Sequence, residues 1–327
     1  MLDTESVNST ITEAVRSACR APSLHNSQPW QWVLDRGQLQ LFLDPSRVMT
    51  TDTSARQALI SCGAALDHLR VAMAAAGWHT DVDRFPYPAN KNHLASIGFT
   101  RSPYVAERDR RRARAVWERH TDRLPFSSVS DRESIEPILR AASASEAVHI
   151  DLLPESLRPQ LIEASQTAES LRWYNTVYHD ELCWWTAPFE SSEGIPYSAL
   201  GSASEAGRVA FDRTFPGHRG PKRREAIPED NAAIVLLSTD GDGRAEALAS
   251  GEALSSVLLE CTMAGLATCP VTHVTELHVT RDLIKALLDR EATPQVLVRV
   301  GVVPVGEKQP PPTPRRPLSE ILRFENE

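Results

Sequence analysis

Cysteine is scarce in this sequence of 327 residues, and the cysteines present are poorly placed for a shared structural role. The five cysteines are scattered and form no Cys-x-x-Cys pair, which argues against both a disulfide framework and a zinc site. The sequence also lacks a Gly-x-Ser-x-Gly element, a Walker loop and a His-Glu-x-x-His motif. These absences argue against the hydrolases, phosphate-loop nucleotidases and metalloproteases that those motifs define, and we expect no metal site.

Long hydrophobic runs are missing as well. No apolar run approaches the roughly 18 to 20 residues that cross a bilayer, and the N-terminal MLDTESVNST lacks the basic and apolar regions of a signal peptide. The net charge of -8 argues against a protein that coats nucleic-acid phosphates. We therefore expect a globular cytoplasmic protein with neither nucleic-acid nor membrane partners.

Hydrophobic periodicity predicts two long buried helices, from Arg56 to Ala76 and from Arg244 to Ala264. Each is followed directly by a glycine. Alternating and continuous apolar runs predict strands, and turn residues separate the first two of them into a hairpin. The other predicted elements are a helix from Thr10 to Cys19 capped by Thr10 or Thr12, the hairpin strands Trp30–Leu34 and Leu39–Leu43, a helix from Asp131 to Ala142, and strands at Val148–Leu152, Ala232–Ser238 and Gln295–Val303. The proline-rich tail from Gln309 to Pro317 predicts an extended strap.

The two long helices also match each other in sequence. An offset of 188 residues gives seven identities in 26 positions, among them Gly63 with Gly251 and Gly77 with Gly265. Two alanine-rich buried helices could match this well by chance, but LASIGF near residue 97 resembles VLVRVGVV near residue 300, and Arg123-Leu-Pro resembles Arg315-Arg-Pro. Because helix, strand and Arg-x-Pro segment recur in the same order, we predict an internal duplication.

Aromatic residues concentrate in a segment that fits neither repeat. Nine of the chain's twenty aromatic residues lie between Trp173 and Phe215, including Phe189, and glycines border the segment. It is either the core of an insertion or a mobile lid over a site, since lids are built from such loop-rich segments. Both interpretations stay open on the sequence alone.

Polar residues cluster in the loop before the first strand, in the string Ala-Pro-Ser-Leu-His-Asn-Ser-Gln-Pro-Trp at residues 21 to 30. Such a loop can direct hydroxyl and amide groups onto a ligand, although Ser23 and Asn26 could equally cap their own backbone. A second polar string, Arg119-His-Thr-Asp-Arg123, closes an arginine-rich stretch that could be a solvated helix face or a phosphate site. Arg315 and Arg316 likewise fit either a surface pair or a site.

Taken together, the loop resembles the corresponding motif of the FMN-dependent nitroreductase superfamily, and ACRAPSLHNSQPWQW resembles the Acg family of actinobacteria. The resemblance covers nearly the whole chain, including the strings ESSEGIP, TMAGLATC and TPRRP. It implies an α+β nitroreductase-like fold in which residues 1–118 and 119–327 form two fused half-domains, an intramolecular pseudo-dimer around one flavin site. The aromatic segment, about 173–220, would be an insertion in the second half.

The resemblance also implies cofactor-binding roles, with FMN as the cofactor and NAD(P)H as its possible reductant. The loop would reach the flavin from the first half, and Thr121 would replace the usual serine of an Arg-x-Ser-x-Arg phosphate motif, with Asp122 turned away. Thr272 and His273 occupy the position from which the family donates a backbone amide to flavin N5, although a lone histidine is more often structural. The residues assigned to FMN are Pro22, Ser23, Asn26, Gln28, Arg119, His120, Thr121, Arg123, Thr272, His273, Arg315 and Arg316.

Three functions remain open. The chain could be an oxidoreductase that takes hydride from NAD(P)H and reduces nitro or quinone-type acceptors through flavin N5, with no catalytic side chain of its own. It could instead store or sequester FMN under a lid that keeps both partners out, or it could be a structural protein with a decayed site. Because the dimer would be intramolecular, a monomer is expected.

Overall fold

The computed structural model describes residues 4–129, 132–142, 146–187, 191–217, 220, 222–307, 309 and 311–325. The expected α+β class is confirmed. Asp131, Phe189 and Pro310, which the sequence placed in a helix, the aromatic segment and the strap, lie outside these residues, as do 188–190 and 218–219 of the predicted insertion. The first helices and strands are α1 (Thr4–Ala18), β1 (Trp30–Asp35), β2 (Gln38–Leu43), α2 (Arg56–Ala75), β3 (Trp78–Arg84), β4 (His93–Arg101) and α3 (Glu107–Glu118).

The second set begins after α3 and contains the aromatic segment as additional short elements. Its helices are α4 (Ile135–Ala142), α5 (Arg158–Arg172), α6 (Thr176–Trp184), α7 (Ala203–Ala206), α8 (Arg244–Met263), α9 (His273–Glu276), α10 (His278–Lys285) and α11 (Leu318–Ile321). Its strands are β5 (His149–Leu152), β6 (Thr186–Ala187), β7 (Ile195–Pro196), β8 (Ala233–Thr239), β9 (Ala267–Val271), β10 (Thr293–Gly301) and β11 (Leu322–Phe324).

Two sheets repeat one topology. The first has the order β11-β1-β2-β4-β3 and the second the order β5-β8-β10-β9, so that β1, β2, β4 and β3 correspond to β5, β8, β10 and β9. These four strands pair antiparallel in both sheets. In each case the long helix, α2 or α8, follows the second strand of its sheet. Identical strand order and identical helix position support the internal duplication.

The helices α2 and α8 pack directly on each other at their equivalent glycines. A Cβ added at Gly63 would lie 2.0 Å from the carbonyl oxygen of Leu248, and a Cβ at Gly251 would lie 2.0 Å from that of Ile60. Leu248 and Ile60 are themselves related by the offset of 188, so the contact has approximate two-fold symmetry. Equivalent residues also meet further along, since Ser255 Oγ donates to Asp67 Oδ2 at 2.6 Å.

The packing of α2 inside the protein explains its apolar character. By length and composition it is the one helix among the described residues that could cross a membrane, yet 78% of its apolar window is buried inside the protein. The opposing α8 helix, α1 and α3 contact it, and the main hydrophobic core runs along it. A helix that is apolar on all sides is typical of a core position.

The C-terminal strand joins the first sheet rather than the second. Strand β11 runs parallel to β1, with Trp32 beside Leu322 and Leu34 beside Phe324. The sequence interpretation ended with an extended strap at Pro317 and did not predict this strand. Because residues beyond 118 complete the first sheet, the two halves interlock, and a division at residue 118 stays a prediction.

Several helix boundaries differ from the sequence expectations. Helix α1 starts at Thr4 instead of Thr10, and the hydroxyls of Thr10 and Thr12 donate to carbonyls one turn back, those of Ser6 and Asn8, instead of capping the helix. One three-residue 3-10 turn, Arg132–Ser134, replaces the start of the helix predicted there. The hairpin, the two long helices and the strands near 235 and 297 follow the predicted positions within two residues.

Replacing Gly63 by alanine should destabilise the whole fold, because the new Cβ meets a rigid backbone carbonyl instead of a flexible side chain. We expect Gly63→Ala to lower the free energy of unfolding by at least about 2 kcal/mol, the range of overpacked cores. Gly98→Ala in β4 is the control, because its Cβ would find nothing nearer than 3.9 Å. Urea unfolding of both variants tests this, and equal stabilities would contradict the close helix contact.

Candidate flavin site

The loop between α1 and β1 has an unusual backbone. His25, Asn26 and Gln28 all have positive φ angles, of 50°, 59° and 51°. Side chains other than glycine rarely adopt this left-handed region, and such strain gathers at functional sites. Ser23 Oγ accepts a hydrogen bond from the Gln28 amide at 3.1 Å, so the capped-turn interpretation of Ser23 is also correct. The loop is thus held rigidly in a costly conformation.

The amide side chains of the loop bind other segments of the chain. Asn26 Nδ2 donates to the carbonyls of Gly194, in the aromatic insertion, and Pro314, in the strap, at 3.1 and 3.2 Å. Gln28 is fully buried; its Nε2 donates to the Ser192 carbonyl at 2.8 Å and its Oε1 accepts from the Arg316 amide at 2.9 Å. Both amides therefore fasten the insertion and the strap to the first half.

Two of the residues assigned to FMN lie away from the cavity described below. Gln28 is enclosed among the loop, the insertion and the strap, where its hydrogen bonds are satisfied internally. Arg316 turns to Glu320 and to the Gln28 carbonyl at 3.4 Å each. In this structure both residues position the loop and the strap and neither lines the two chambers, so their assignment to FMN stays a prediction.

Beneath the loop lies a cavity of two joined chambers, which share Pro22, Ser23, Thr121 and Arg123. One, the apolar chamber, is walled by side chains from both long helices, from the end of β9 and from the insertion. Its walls include Gln57, Ile60, Ser61, Leu254, Pro270, Val271, Thr272, His273, Asp212, Arg213 and Phe215. The other, the arginine chamber, is lined by Arg20, Asn26, Trp117, Arg119, His120, Ile195, Pro196, Pro312, Thr313 and Arg315, among others.

Three guanidinium groups meet in the arginine chamber, and none of them has a carboxylate ion pair among the described residues. Arg315 is contributed by the strap, Arg119 by the end of α3, and Arg20 by the loop after α1. Burial lowers the pKa of Arg315 well below its usual value, and the neighbouring Arg20 and Arg119 lower it further. Burial likewise lowers the pKa of Arg119 to about 10. The chamber therefore concentrates positive charge that the protein does not neutralise.

Several nitrogens of this cluster lack a hydrogen-bond partner in the part of the chain that the structure describes. Arg119 is 5% exposed, and its Nε and Nη1 make no hydrogen bond with the described residues; the same holds for Arg20 Nε. Buried polar atoms are nearly always satisfied, so an unsatisfied set of donors on cations indicates an anionic ligand. Arginine's planar fork suits phosphate oxygens in particular.

The strand-like segment 119–123 presents alternate residues to the cavity. Thr121 forms a parallel bridge with Thr268 of β9. Thr121 and Arg123 both line the two chambers. Asp122 is turned away, as expected for an acid so near a phosphate site, and pairs with Arg224 at 2.5 Å. Arg123 lies over the Phe215 ring, 5.1 Å from its centroid.

His273 is held mainly by the protein interior, which favours the structural interpretation of its side chain. Its Nε2 lies 2.7 Å from Ser165 Oγ, and its carbonyl accepts from Arg172 Nη1 at 3.0 Å. Burial lowers its pKa to about 3, so the imidazole is neutral near pH 7. Thr272 Oγ1 donates to Glu276, a buried carboxylate that also pairs with Arg172 and Arg213.

The sequence interpretation missed several residues of the cavity. Gln57 lines the apolar chamber and is 3% exposed, and its Nε2 has no hydrogen-bond partner among the residues that the structure describes. Gln57 and Ser61 are four residues apart on α2, a spacing that places them on one helix face and could have signalled a site. Arg20 directly precedes the predicted loop, so the sequence could also have indicated it as a site residue. Arg213 and Phe215 belong to the insertion, for which the sequence offers no repeat.

No family model matches the chain. Among curated proteins, "Putative NAD(P)H nitroreductase acg" of Mycobacterium tuberculosis is 52% identical over 323 residues, which is 98% of both chains. A second Mycobacterium tuberculosis protein of the same description is 35% identical over 329 residues, covering 99% of this chain and 93% of its own. Both relatives are described as putative NAD(P)H nitroreductases, and this is the class of protein that the chain resembles. The chain belongs to the Acg family, which confirms the resemblance drawn from the loop.

Solved structures of nitroreductases also match, at lower similarity. The FMN-dependent nitroreductase NfnB from Mycobacterium smegmatis, in complex with NADPH, is 19% identical, with a TM-score of 0.41, 67% of this chain and 100% of that chain covered. A nitroreductase with bound FMN from Bacteroides fragilis is 12% identical, with a TM-score of 0.38, 61% of this chain and 91% of that chain covered.

Inorganic phosphate should stabilise the flavin-free protein through the arginine chamber. We expect it to raise the thermal midpoint by at least about 2 °C, because a ligand that binds only the folded state shifts the equilibrium. Arg119→Met should abolish that shift while leaving the protein at least as stable, because the variant removes an uncompensated buried charge. Arg281→Met is the control, since Arg281 pairs with Asp242 at 2.5 Å and lies outside both chambers. A phosphate shift that persists in Arg119→Met would refute this assignment.

Proposed function

We propose that the chain binds one FMN in the joined chambers and acts as an NAD(P)H-dependent oxidoreductase of the nitroreductase type, reducing nitro or quinone-type acceptors. The observation that carries the proposal is the unpartnered Arg119 and Arg20 nitrogens beside an apolar chamber. FMN combines a phosphate with a broad, largely apolar ring system, and the two chambers offer a complementary surface to each part.

Residues from both halves would bind FMN. Arg20, Arg119 and Arg315 would hold the phosphate, with Thr121 supplying a hydroxyl beside it. Ile60, Leu254 and Pro270 would form the walls for the ring, while Gln57 offers a buried amide donor that no protein atom satisfies. Bound FMN would supply hydride transfer at its N5, the step that no side chain here can perform.

The electrostatics of the apolar chamber favour a ligand that gains negative charge. Arg213 lines the chamber but is balanced by Glu276, whereas Arg123 has no carboxylate ion pair among the described residues. Thr272 and His273, at the end of β9, are the positions where the family donates a backbone amide to N5, and that role needs no particular side chain. Cations and backbone dipoles of this kind stabilise developing charge without reorganisation.

A single cofactor per chain fits the asymmetry of the duplication. The offset of 188 relates Thr272 and His273 to Arg84 and Phe85 of the first half. Arg84 there binds Glu252 through two hydrogen bonds of 2.8 and 2.7 Å, and Arg244 lies over the Phe85 ring. These side-chain pairs involve the positions equivalent to Thr272 and His273, which supports the proposal of a single site. The boundary near residue 118, the monomeric state and the cytoplasmic location remain parts of the proposal.

The oxidoreductase proposal is tested by the flavin spectrum of the purified protein. We expect a yellow protein whose absorbance near 450 nm is bleached by NADPH under anaerobic conditions and restored by a nitroaromatic or a quinone. Dithionite serves as the control for a reducible flavin. Bleaching by dithionite but not by NADPH would reject this activity and leave the binding function.

The alternative, storage of FMN under a closed insertion, has an observation of its own. The insertion is fastened to the first half by Asn26 and Gln28, by the ion pair of Arg47 with Glu193, and by Glu181, which accepts from the Thr50 amide at 2.6 Å. Phe215 lines the apolar chamber, and its ring contacts His25 and Arg123. A lid held at this many points would hinder both NAD(P)H and an acceptor.

Asn26→Ala tests how strongly the lid and the strap retain FMN. The variant removes two hydrogen bonds that join the loop to the insertion and the strap, so we expect FMN to dissociate about tenfold faster, as the loss of about 1.4 kcal/mol predicts. If storage is the function, the same variant should also gain reduction by NADPH. Thr10→Ala, which removes only a surface hydroxyl on α1, is the control and should leave the release rate unchanged.

A further inference from the structure

The cavity does not end at the arginine chamber. A third space, the distal chamber, adjoins it and shares Glu118, Arg119, His120 and Gln309 with it. Its other walls come from the end of α8 and the start of β9, including Thr262, Leu266 and Ala267, and from Val303. Its volume of about 320 Å³ lies within the range of small-ligand pockets.

Two chain segments each border more than one chamber. In the first, Glu118 to His120 border the distal and arginine chambers, Asp122 borders the distal chamber, and Thr121 and Arg123 border the arginine and apolar chambers. In the second, Glu307, which precedes the strap, lies in the distal chamber, Gln309 lies at the junction, and Thr313 and Arg315 lie in the arginine chamber. The apolar, arginine and distal chambers are therefore successive parts of one groove.

The arginine and distal chambers meet at Arg119, the residue whose donors are assigned to the phosphate in the proposed flavin site. Arg119 borders both chambers, and its unpartnered Nε and Nη1 provide two free donors at the point where they meet. His120 borders both as well, and its Nδ1 makes only a long contact of 3.4 Å to the Glu118 carbonyl. A ligand with phosphate groups on both sides of Arg119 would use these donors.

The distal chamber suits a neutral, partly apolar group rather than another anion. Of its three carboxylates, Asp122 and Glu307 are paired with Arg224, at 2.5 and 2.7 Å, whereas the exposed Glu118 at the junction forms no ion pair with the described residues. Leu266, Ala267 and Val303 give apolar surface, and Thr262 and Thr268 offer hydroxyls. A nucleoside, with a flat base and a polar sugar, combines these properties.

We infer that the distal chamber is a subsite for the adenosine 5′-phosphate half of a flavin dinucleotide, so that the chain accepts FAD as well as FMN. The inference rests on the proposed flavin site. In it, Arg119 bridges the two phosphates, the riboflavin half fills the arginine and apolar chambers, and the adenosine lies against Leu266 and Val303.

The test is a titration of flavin-free full-length protein with FMN, FAD and AMP, followed by flavin fluorescence and calorimetry. Thr262→Trp fills the distal chamber from α8, and Ala264→Trp, at an exposed position two residues on, is the matched control. We expect Thr262→Trp to weaken FAD binding by at least about tenfold, to change FMN binding less than about twofold, and to remove AMP binding. Ala264→Trp should leave all three unchanged.

Other outcomes separate this inference from the proposed function. Binding of FMN with no binding of FAD overturns the distal subsite and leaves the flavin site intact. FAD binding that Thr262→Trp does not weaken also overturns it, because the adenosine would then lie in solvent. If neither flavin binds, the proposed function fails together with the inference.

Discussion

The contact between α2 and α8 at Gly63 and Gly251 is the constraint on which the rest of the structure depends. Each glycine lets the partner helix bring a backbone carbonyl to a distance that no side chain would allow. Close approach places Ile60 of one helix and Leu254 of the other in the same chamber wall. The cavity thus exists because two repeats of one unit pack on each other, and neither half forms it alone.

Fusion of the halves has allowed equivalent positions to diverge. Asp52 caps α2 by accepting from the Gln57 and Ala58 amides, whereas its counterpart Asp240 turns outward to His149 at 2.9 Å. The end of β9 carries Thr272 and His273 at the cavity, but the corresponding end of β3 carries side chains engaged in ion-pair and ring contacts. In an identical dimer one sequence serves both sites, so this division of roles is available only to a single chain.

Much of the fold was accessible from the sequence because it rests on local or repeated signals. The periodicity of α2 and α8, the hairpin from Trp30 to Leu43 and the buried run of β8 all follow from side-chain spacing. Strand β11 escaped prediction because Leu322 to Phe324 is too short to show a pattern and is fixed by pairing with β1, almost 300 residues earlier. The sequence prediction placed the start of helix α1 too late, because Ser and Thr occur both as N-caps and inside helices.

The candidate site was accessible only in part, for a related reason. Motif resemblance found the loop and the 119–123 segment, and the structure brings Pro22, Ser23, Arg119, His120, Thr121, Arg123 and Arg315 to one cavity. Motif resemblance could not distinguish Arg315 from Arg316, which are adjacent in sequence, although Arg315 lines the arginine chamber and Arg316 contacts Glu320 and the Gln28 carbonyl. Gln57 was missed because its spacing from Ser61 is a weak signal, which gains meaning only when the unsatisfied nitrogen of Gln57 is seen in the structure.

The arginine chamber explains why three distant segments converge at all. Arg315 Nε donates to the Cys19 carbonyl, Arg119 Nη2 to the Arg20 carbonyl and Arg20 Nη1 to the Thr313 carbonyl, so each cation holds the backbone of another segment. These bonds fix the guanidinium groups, but they leave the repulsion among the three charges uncompensated. An anion in the chamber would remove that repulsion, and its binding energy would therefore stabilise the loop, α3 and the strap together. Under the proposed function, a flavin phosphate bound there would stabilise the architecture as well as act as a ligand, and cofactor retention would be linked to the order of the C-terminal strap.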